Sequence, residues 1–217
     1  MTIVRASITM SVDGYSAGPD QDEEHPMGKG GMALHQWAFP LAFFQDMMGK
    51  PGTGDVNESD AVVREQQGNV GATVMGRNMF GPIRGPWSAS KTWDGWWGNE
   101  PPYRHPVFVL THHPREPLTL DGGNVFHFVT DGPAAALARA KAVAGDKDVH
   151  VAGGASCIQQ FLAADLLQQI TINLSPVLLG NGERLFDKIG TAMQRFEHVK
   201  TVRGPVATHL TFKRRSG

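Results

Sequence analysis

Two stretches of this chain pass from an apolar run through glycine straight into a helical pattern, and that punctuation limits the possible folds more than any bulk property. In Thr73-Val74-Met75-Gly76-Arg77-Asn78-Met79-Phe80 an apolar run stops at Gly76 and a new segment begins at Arg77. In the second stretch, Val149-His150-Val151-Ala152 runs into Gly153-Gly154-Ala155-Ser156 and then an apolar helix pattern. A strand that turns at once into a helix leaves the first helical N–H groups unpaired, and a guanidinium beside them makes an anion site. Two such junctions suit a ligand with more than one phosphate, of which a dinucleotide is the commonest in α/β chains. Each glycine alone is more often only a turn residue, because glycine is the default wherever φ must be positive.

The segments around these junctions alternate between strand and helix patterns. Ile3 to Met10 reads as a first strand, followed by a turn-rich loop from Ser11 to Pro19 and a polar, glycine-rich stretch from Asp20 to Gly31 expected to be mobile. Trp37-Ala38-Phe39 leads into a short helix with Pro40 in its first turn and Gly49 past its end. Asn57 is placed to cap a helix through Gln67 that Gly68 closes, ahead of a strand from Val70 to Met75. Further strands are expected over Pro106–Thr111, Asn124–Thr130, Asp148–Ala152 and, as a central strand, Leu167–Leu179. Asp131 and Gly145 bracket an alanine-rich helix with Pro133 in its first turn, and Ala155 to Ala163 forms another helix. Phe196–Arg203 and Val206–Lys213, parted by Gly204-Pro205, read as an antiparallel hairpin. The pattern predicts one α/β domain over residues 1–217, with a mainly parallel sheet and antiparallel edge strands.

Composition narrows the function. Hydrophobic residues at 41% and charged residues at 19% provide a core without disulfides or a metal staple. A net charge of −1 offers no basic field, so nucleic acid is not expected as a partner. There is no leader pattern and no apolar run of membrane-spanning length, so a cytoplasmic protein with no membrane partner is expected. The single cysteine, Cys157, cannot form an internal bridge and reads as a buried thiol. Only His112 and His113 are adjacent among scattered histidines, so no metal site is expected.

Ser11-Val12-Asp13-Gly14-Tyr15, Val74-Met75-Gly76-Arg77, Val107-Phe108-Val109-Leu110-Thr111, Val151-Ala152-Gly153-Gly154-Ala155-Ser156 and Ser175-Pro176-Val177-Leu178-Leu179-Gly180 follow one another across nearly the whole chain. In these five motifs the chain resembles the dihydrofolate reductase-like superfamily, and within it the reductase domain of the bacterial riboflavin-biosynthesis deaminase/reductase. The resemblance implies a three-layer α/β domain, a homodimer, and hydride transfer from NADPH to a ribosylamino-pyrimidine-like or related heterocycle. A pterin- or folate-type reductase and a non-catalytic NADPH-binding module are the alternatives. Folate-binding members carry an acid on the first helix, where this chain offers only Asp46.

By the same resemblance NADPH lies along the C-terminal edge of the sheet. Gly18, Gly76 and Arg77 then belong to the cofactor site, Thr111, His112 and His113 to its adenosine-phosphate end, and Gly153, Gly154, Ala155 and Ser156 to the pyrophosphate. A 2′-phosphate needs cationic or hydroxyl donors, which Arg77 and the residues from Thr111 to His113 provide, so NADPH is expected over NADH. Asp13 sits where the superfamily closes a loop over nicotinamide and could orient substrate or supply a proton; Asp13-Gly14 reads equally well as a turn. Four of the five tryptophans, Trp87, Trp93, Trp96 and Trp97, fall in the aperiodic stretch from Pro82 to Pro106. So much aromatic surface requires cover, either as a substrate lid in which Trp96 and Trp97 stack on the heterocycle or as a dimer contact.

Overall fold

The computed structural model describes residues 2–87 and 93–215. In chain order the elements begin with β1 (Val4–Ser11), β2 (Tyr15–Ala17), α1 (Ala42–Met47), α2 (Glu58–Gln67), β3 (Val70–Gly76) and α3 (Arg77–Phe80). They continue with β4 (Val107–Leu110), β5 (Leu118–Leu120), β6 (Asn124–Val129), α4 (Gly132–Ala144), β7 (Asp148–Gly153) and α5 (Ala155–Ala163). The chain closes with β8 (Gln169–Ser175), β9 (Glu183–Arg184), β10 (Phe196–Arg203) and β11 (Thr208–Arg214).

Nine strands form one sheet in the order β10-β11-β8-β1-β7-β3-β4-β6-β5. The six from β8 to β6 run parallel, while β11, β10 and β5 are antiparallel at the margins. This is the mainly parallel sheet with an antiparallel C-terminal hairpin that the segment pattern predicts. Three short strands escape sequence reading. β5 adds an antiparallel edge to β6, and β2 pairs with β9 in a separate ribbon beside the end of β1. The strand expected over Leu167–Leu179 is central, paired on both sides, but shorter, ending at Ser175 because Pro176 has no N–H to give to a ladder.

Alternation along the strands divides the layers. Val4 and Ala6 of β1, Ala72 and Val74 of β3, Val149 and Val151 of β7, and Ile170 and Ile172 of β8 face α4 and α5 in the main core. Ala136, Ala140 and Ala144, one helical turn apart, let α4 lie close on this face. Gly71 permits the closest approach, since a Cβ there would sit 2.7 Å from the Ala144 carbonyl oxygen.

The opposite face changes character along the sheet. Over β3, β4 and β6 it is apolar: Met75, Val107, Val109, Phe126 and Phe128 pack with Phe80 of α3, and Trp87 and Trp93 join them. The tryptophan stretch thus does the covering work of a helix, with residues 88–92 outside the described residues. Over β1, β7, β8 and β11 the same face is polar and is roofed by α2. Ser7 meets His150 at 2.9 Å, and His209 bridges Asn173 (2.7 Å) and Ser59 (2.8 Å).

Local chemistry explains where the sequence expectations hold and where they shift. Asn57 caps α2 as expected, its side chain accepting from the Ser59 and Asp60 N–H groups. Asp131 occupies the N-cap position of α4 without a side-chain cap; its carboxylate pairs instead with Arg139 at 2.6 Å. Pro40 lies ahead of α1 rather than in its first turn, because Asp55 N–H donates to the Pro40 carbonyl and the Asp55 carbonyl accepts from Ala42 N–H, holding Leu41 extended. The stretch from Asp20 to Gly31, expected to be mobile, is tied down. Gln21 donates to the Asn78 carbonyl at 3.0 Å and accepts from Arg84 at 2.6 Å.

Candidate active site

Parallel pairing puts the C-terminal ends of β1, β7, β3 and β4 at one edge. Met75 lies opposite Gly153 and Gly76 opposite Leu110, so the two glycine junctions recognised in the sequence are neighbours in space. A Cβ on Gly76 would sit 3.6 Å from the Gly153 carbonyl oxygen and 3.4 Å from Cys157 Cβ, so the two junctions are in van der Waals reach of each other. Around Gly154 there is open space, with nothing within 4 Å of a Cβ placed there. α5 begins immediately after it, with no side chain capping its first turn at Ala155 and Ser156. An uncapped helix start beside an uncrowded glycine can receive a phosphate. The Gly153–Gly154 peptide is cis.

Arg77 is less exposed than a helix start on the surface would be. Its Nη1 donates to Thr111 Oγ1 at 2.9 Å and its Nη2 to the Gly85 carbonyl at 3.2 Å, while the guanidinium lies 3.2 Å from the centroid of the Trp87 ring. Burial, with Arg84 and then Arg115 nearby, lowers its pKa to about 10, so it stays charged at neutral pH. Arg84 donates to two neutral groups, the Gly81 carbonyl and Gln21 Oε1. Arg115, by contrast, is paired with Asp94 at 3.0 Å. Among the described residues neither Arg77 nor Arg84 forms a direct ion pair, and Glu183 is the acid whose charge reaches Arg84. Arg84 was missed in the sequence, although a signal exists: no Asp or Glu falls between Glu65 and Asp94.

Thr111 contacts Arg77 at this edge. Its hydroxyl accepts from Arg77 and from the His113 N–H at 3.2 Å, so it organises Arg77 and the turn after β4. His112 is exposed beside it and His113 is half-buried, with its carbonyl accepting from Trp87 Nε1 at 2.9 Å.

Asp13 faces the loop after β8. Its carboxylate accepts from Leu179 N–H at 3.1 Å and Gly180 N–H at 2.7 Å. The Ser11 hydroxyl, with the Gly180 and Leu179 N–H groups, holds its pKa down to about 2 against the opposing effect of burial. Such a carboxylate is ionised at neutral pH and has no proton to give. Gly18 is buried where three backbones cross: a Cβ would lie 2.1 Å from the Lys29 carbonyl oxygen, and Gly182 would meet Ala17 at the same point. Packing accounts for this glycine, whose Cα is walled off by protein.

Asp46 is spoken for, and Cys157 is the buried thiol expected. Asp46 pairs with Arg64 at 2.8 Å, and burial pushes the Cys157 thiol up to about 12. Trp93 and Trp96 turn inward over α3, Trp93 Nε1 donating to the Phe80 carbonyl at 2.9 Å and the two rings meeting edge-on at 4.8 Å. Trp97 is partly open to solvent at 40% exposure. No group of three or more potential metal ligands occurs among the described residues. No helix among them is long and apolar enough to cross a membrane.

Comparison with known proteins adds a family to this geometry. The overall structure is similar to that of a Shewanella sp. PV-4 protein named for riboflavin biosynthesis, at 22% identity and a TM-score of 0.59, covering 99% of this chain and 100% of that one. It is also similar to dihydrofolate reductase from Enterococcus faecalis, solved with NADP(H), at 14% identity and a TM-score of 0.55, covering 99% and 97%. A third likeness is to a diaminohydroxyphosphoribosylaminopyrimidine deaminase/5-amino-6-(5-phosphoribosylamino)uracil reductase from Thermotoga maritima, at 13% identity and a TM-score of 0.56; it covers 99% of this chain but 57% of that longer one. Comparison with curated protein sequences finds no match. The likenesses establish a dihydrofolate reductase-like fold. The sequence profile of the RibD C-terminal domain matches residues 2–210, and the chain belongs to the RibD C-terminal domain family.

Proposed function

We propose that this chain is an NADPH-dependent reductase that passes hydride to a small polar heterocycle. The observation that carries the reading is the meeting of Gly76, Gly153 and Gly154 at one sheet edge with Arg77 and Arg84, two cations that form no ion pair among the described residues. The uncapped start of α5 and the open space at Gly154 fit a pyrophosphate, and the two arginines fit a further phosphate. Gly76 and Gly153 to Ser156 would hold the pyrophosphate, and Arg77, supported by Thr111, the phosphate at the adenosine end, with His112 and His113 flanking it. When bound, the nicotinamide supplies the hydride.

The protein's own part is orientation. Asp13 fixes the loop at Leu179 and Gly180 beside the end of β1, which would shape the nicotinamide end of the cleft. In this reading it is an anchor, and a proton for the substrate comes from elsewhere. Trp97, the more open of the pair, would close the site over the heterocycle, with Trp96 beneath it on α3. The Thermotoga protein's name supports a ribosylamino-pyrimidine as the substrate class. The ion pair between Asp46 and Arg64 counts against a folate-type substrate held by that acid.

The test is fluorescence titration with NADPH, followed by oxidation of NADPH in the presence of a ribosylaminopyrimidine. Arg77→Ala should weaken NADPH binding by about 1.5–3 kcal/mol, the usual worth of a hydrogen bond to a charged group. Unchanged affinity would remove Arg77 from the site. Binding without turnover on any heterocycle would favour the non-catalytic module.

A further inference from the structure

A guanidinium carries five N–H donors in one plane, so whatever fixes that plane decides what the arginine can recognise. For Arg77 the plane is set from three sides. Thr111 Oγ1 and the Gly85 carbonyl take one N–H each, and the Trp87 indole lies against the flat face at 3.2 Å. Two of five donors are thereby used, and three are left for a ligand. Trp87 is itself fixed. Its Nε1 donates to the His113 carbonyl, and its ring meets Phe128 edge-on at 5.1 Å and Phe80 at 6.0 Å. The turn after β4 therefore holds Arg77 directly through Thr111 and indirectly through His113 and Trp87.

We infer that Trp87 is a positioning residue for anion recognition, holding the Arg77 fork in a single orientation so that it can discriminate a phosphomonoester from a hydroxyl. The inference rests on the reading that Arg77 meets the cofactor. An arginine ordered in advance loses little freedom when a ligand arrives, and its alignment suits bidentate contact with a dianion. Arg84 adds charge without adding order, because its neutral partners belong to loops. Arg115 also lies near the Trp87 ring, at 5.0 Å, but its charge is spent on Asp94. The tryptophan is thus expected to matter for the phosphate of NADPH and hardly at all for NADH.

The experiment compares NADPH and NADH affinity in the wild type, Trp87→Phe, Trp87→Leu, Arg77→Ala and the Trp87→Leu/Arg77→Ala pair. Trp87→Phe, which keeps an aromatic face, should hold NADPH affinity within about threefold, whereas Trp87→Leu should lose about tenfold, in line with a desolvated cation–π contact. NADH affinity should change less than about threefold in both, and Trp87→Leu should add little once Arg77 is gone. Equal losses for the two cofactors in Trp87→Leu would overturn the inference and leave Trp87 as core filling. An Arg77→Ala variant with normal NADPH affinity would instead overturn the reading of Arg77 beneath it. If Trp87→Leu does not fold, the wild type decides by NMR: the Arg77 Nε–H signal, assigned by its loss in Arg77→Lys, should be shifted upfield by the indole and move further with NADPH than with NADH. A signal at the ordinary position would refute the stacked arrangement.

Discussion

Asp13 shows how a side chain's partners decide its chemistry. Ordinarily a carboxylate beside a cleft is a candidate proton donor, but the Ser11 hydroxyl and nearby backbone N–H groups favour its charged form and hold its pKa near 2. Asp13→Asn is therefore expected to keep measurable turnover, with KM raised more than kcat is lowered, because an amide can still accept one of the two loop N–H groups. A proton-donating role would instead abolish kcat while leaving KM nearly intact. Steady-state kinetics across pH separates the two. No ionisation of Asp13 should appear in the profile above about pH 3, its folded pKa lying near 2.

At the scale of elements, the tryptophan stretch replaces a helix over β3, β4 and β6, and its packing depends on one small residue. Gly81 has an extended backbone, yet a Cβ there would lie 2.1 Å from Trp93 Nε1, the atom that donates to the Phe80 carbonyl. Gly81→Ala should expel the indole and cost about 1–3 kcal/mol of stability, the usual penalty for overpacking. Urea unfolding would measure it, and Trp93 emission should shift to the red. A stable variant with unchanged emission would mean that the loop finds another way to cover Phe80. The α2 cap is a milder case: Asn57→Ala removes an acceptor for two N–H groups and should cost about 1 kcal/mol.

Across the whole molecule, the polar face of the sheet makes stability depend on pH. Burial lowers the pKa of His209 to about 4, and burial with Arg5 and His105 nearby lowers that of His150 to about 3. His209 is neutral in the hydrogen-bond pattern, with Nδ1–H donating to Asn173 Oδ1 and Nε2 accepting from the Ser59 hydroxyl. Between the unfolded value of 6.5 and these lowered values the unfolded chain binds protons that the folded chain refuses. Stability is accordingly full above about pH 6.5, falls as pH drops towards 4, and levels off for His209 below its folded pKa. Melting temperatures from pH 8 to pH 4 should decline below about 6.5, and His209→Gln should flatten part of the slope. A melting temperature unchanged down to pH 5 would contradict the buried neutral state.

Order along the chain was enough to establish the alternation of strands and helices, the N-cap at Asn57, the C-terminal hairpin and the two glycine junctions. Each depends on residues close in sequence: turn glycines, a capping side chain, or apolar periodicity. Parallel pairing could be expected from that alternation, but the strand order that brings Gly76 beside Gly153 belongs to the tertiary structure. So does the environment of each polar group. The sequence could not tell whether Asp13 was free or held, whether Arg77 was exposed or stacked, or that Gly18 sits at a crossing of backbones. The short strands β2, β5 and β9 were equally hidden, because so few residues carry no periodicity of their own and pair only where the sheet is already built. Local pattern determines what a segment becomes, while the charge state and orientation of a site residue depend on groups that long-range packing brings to it.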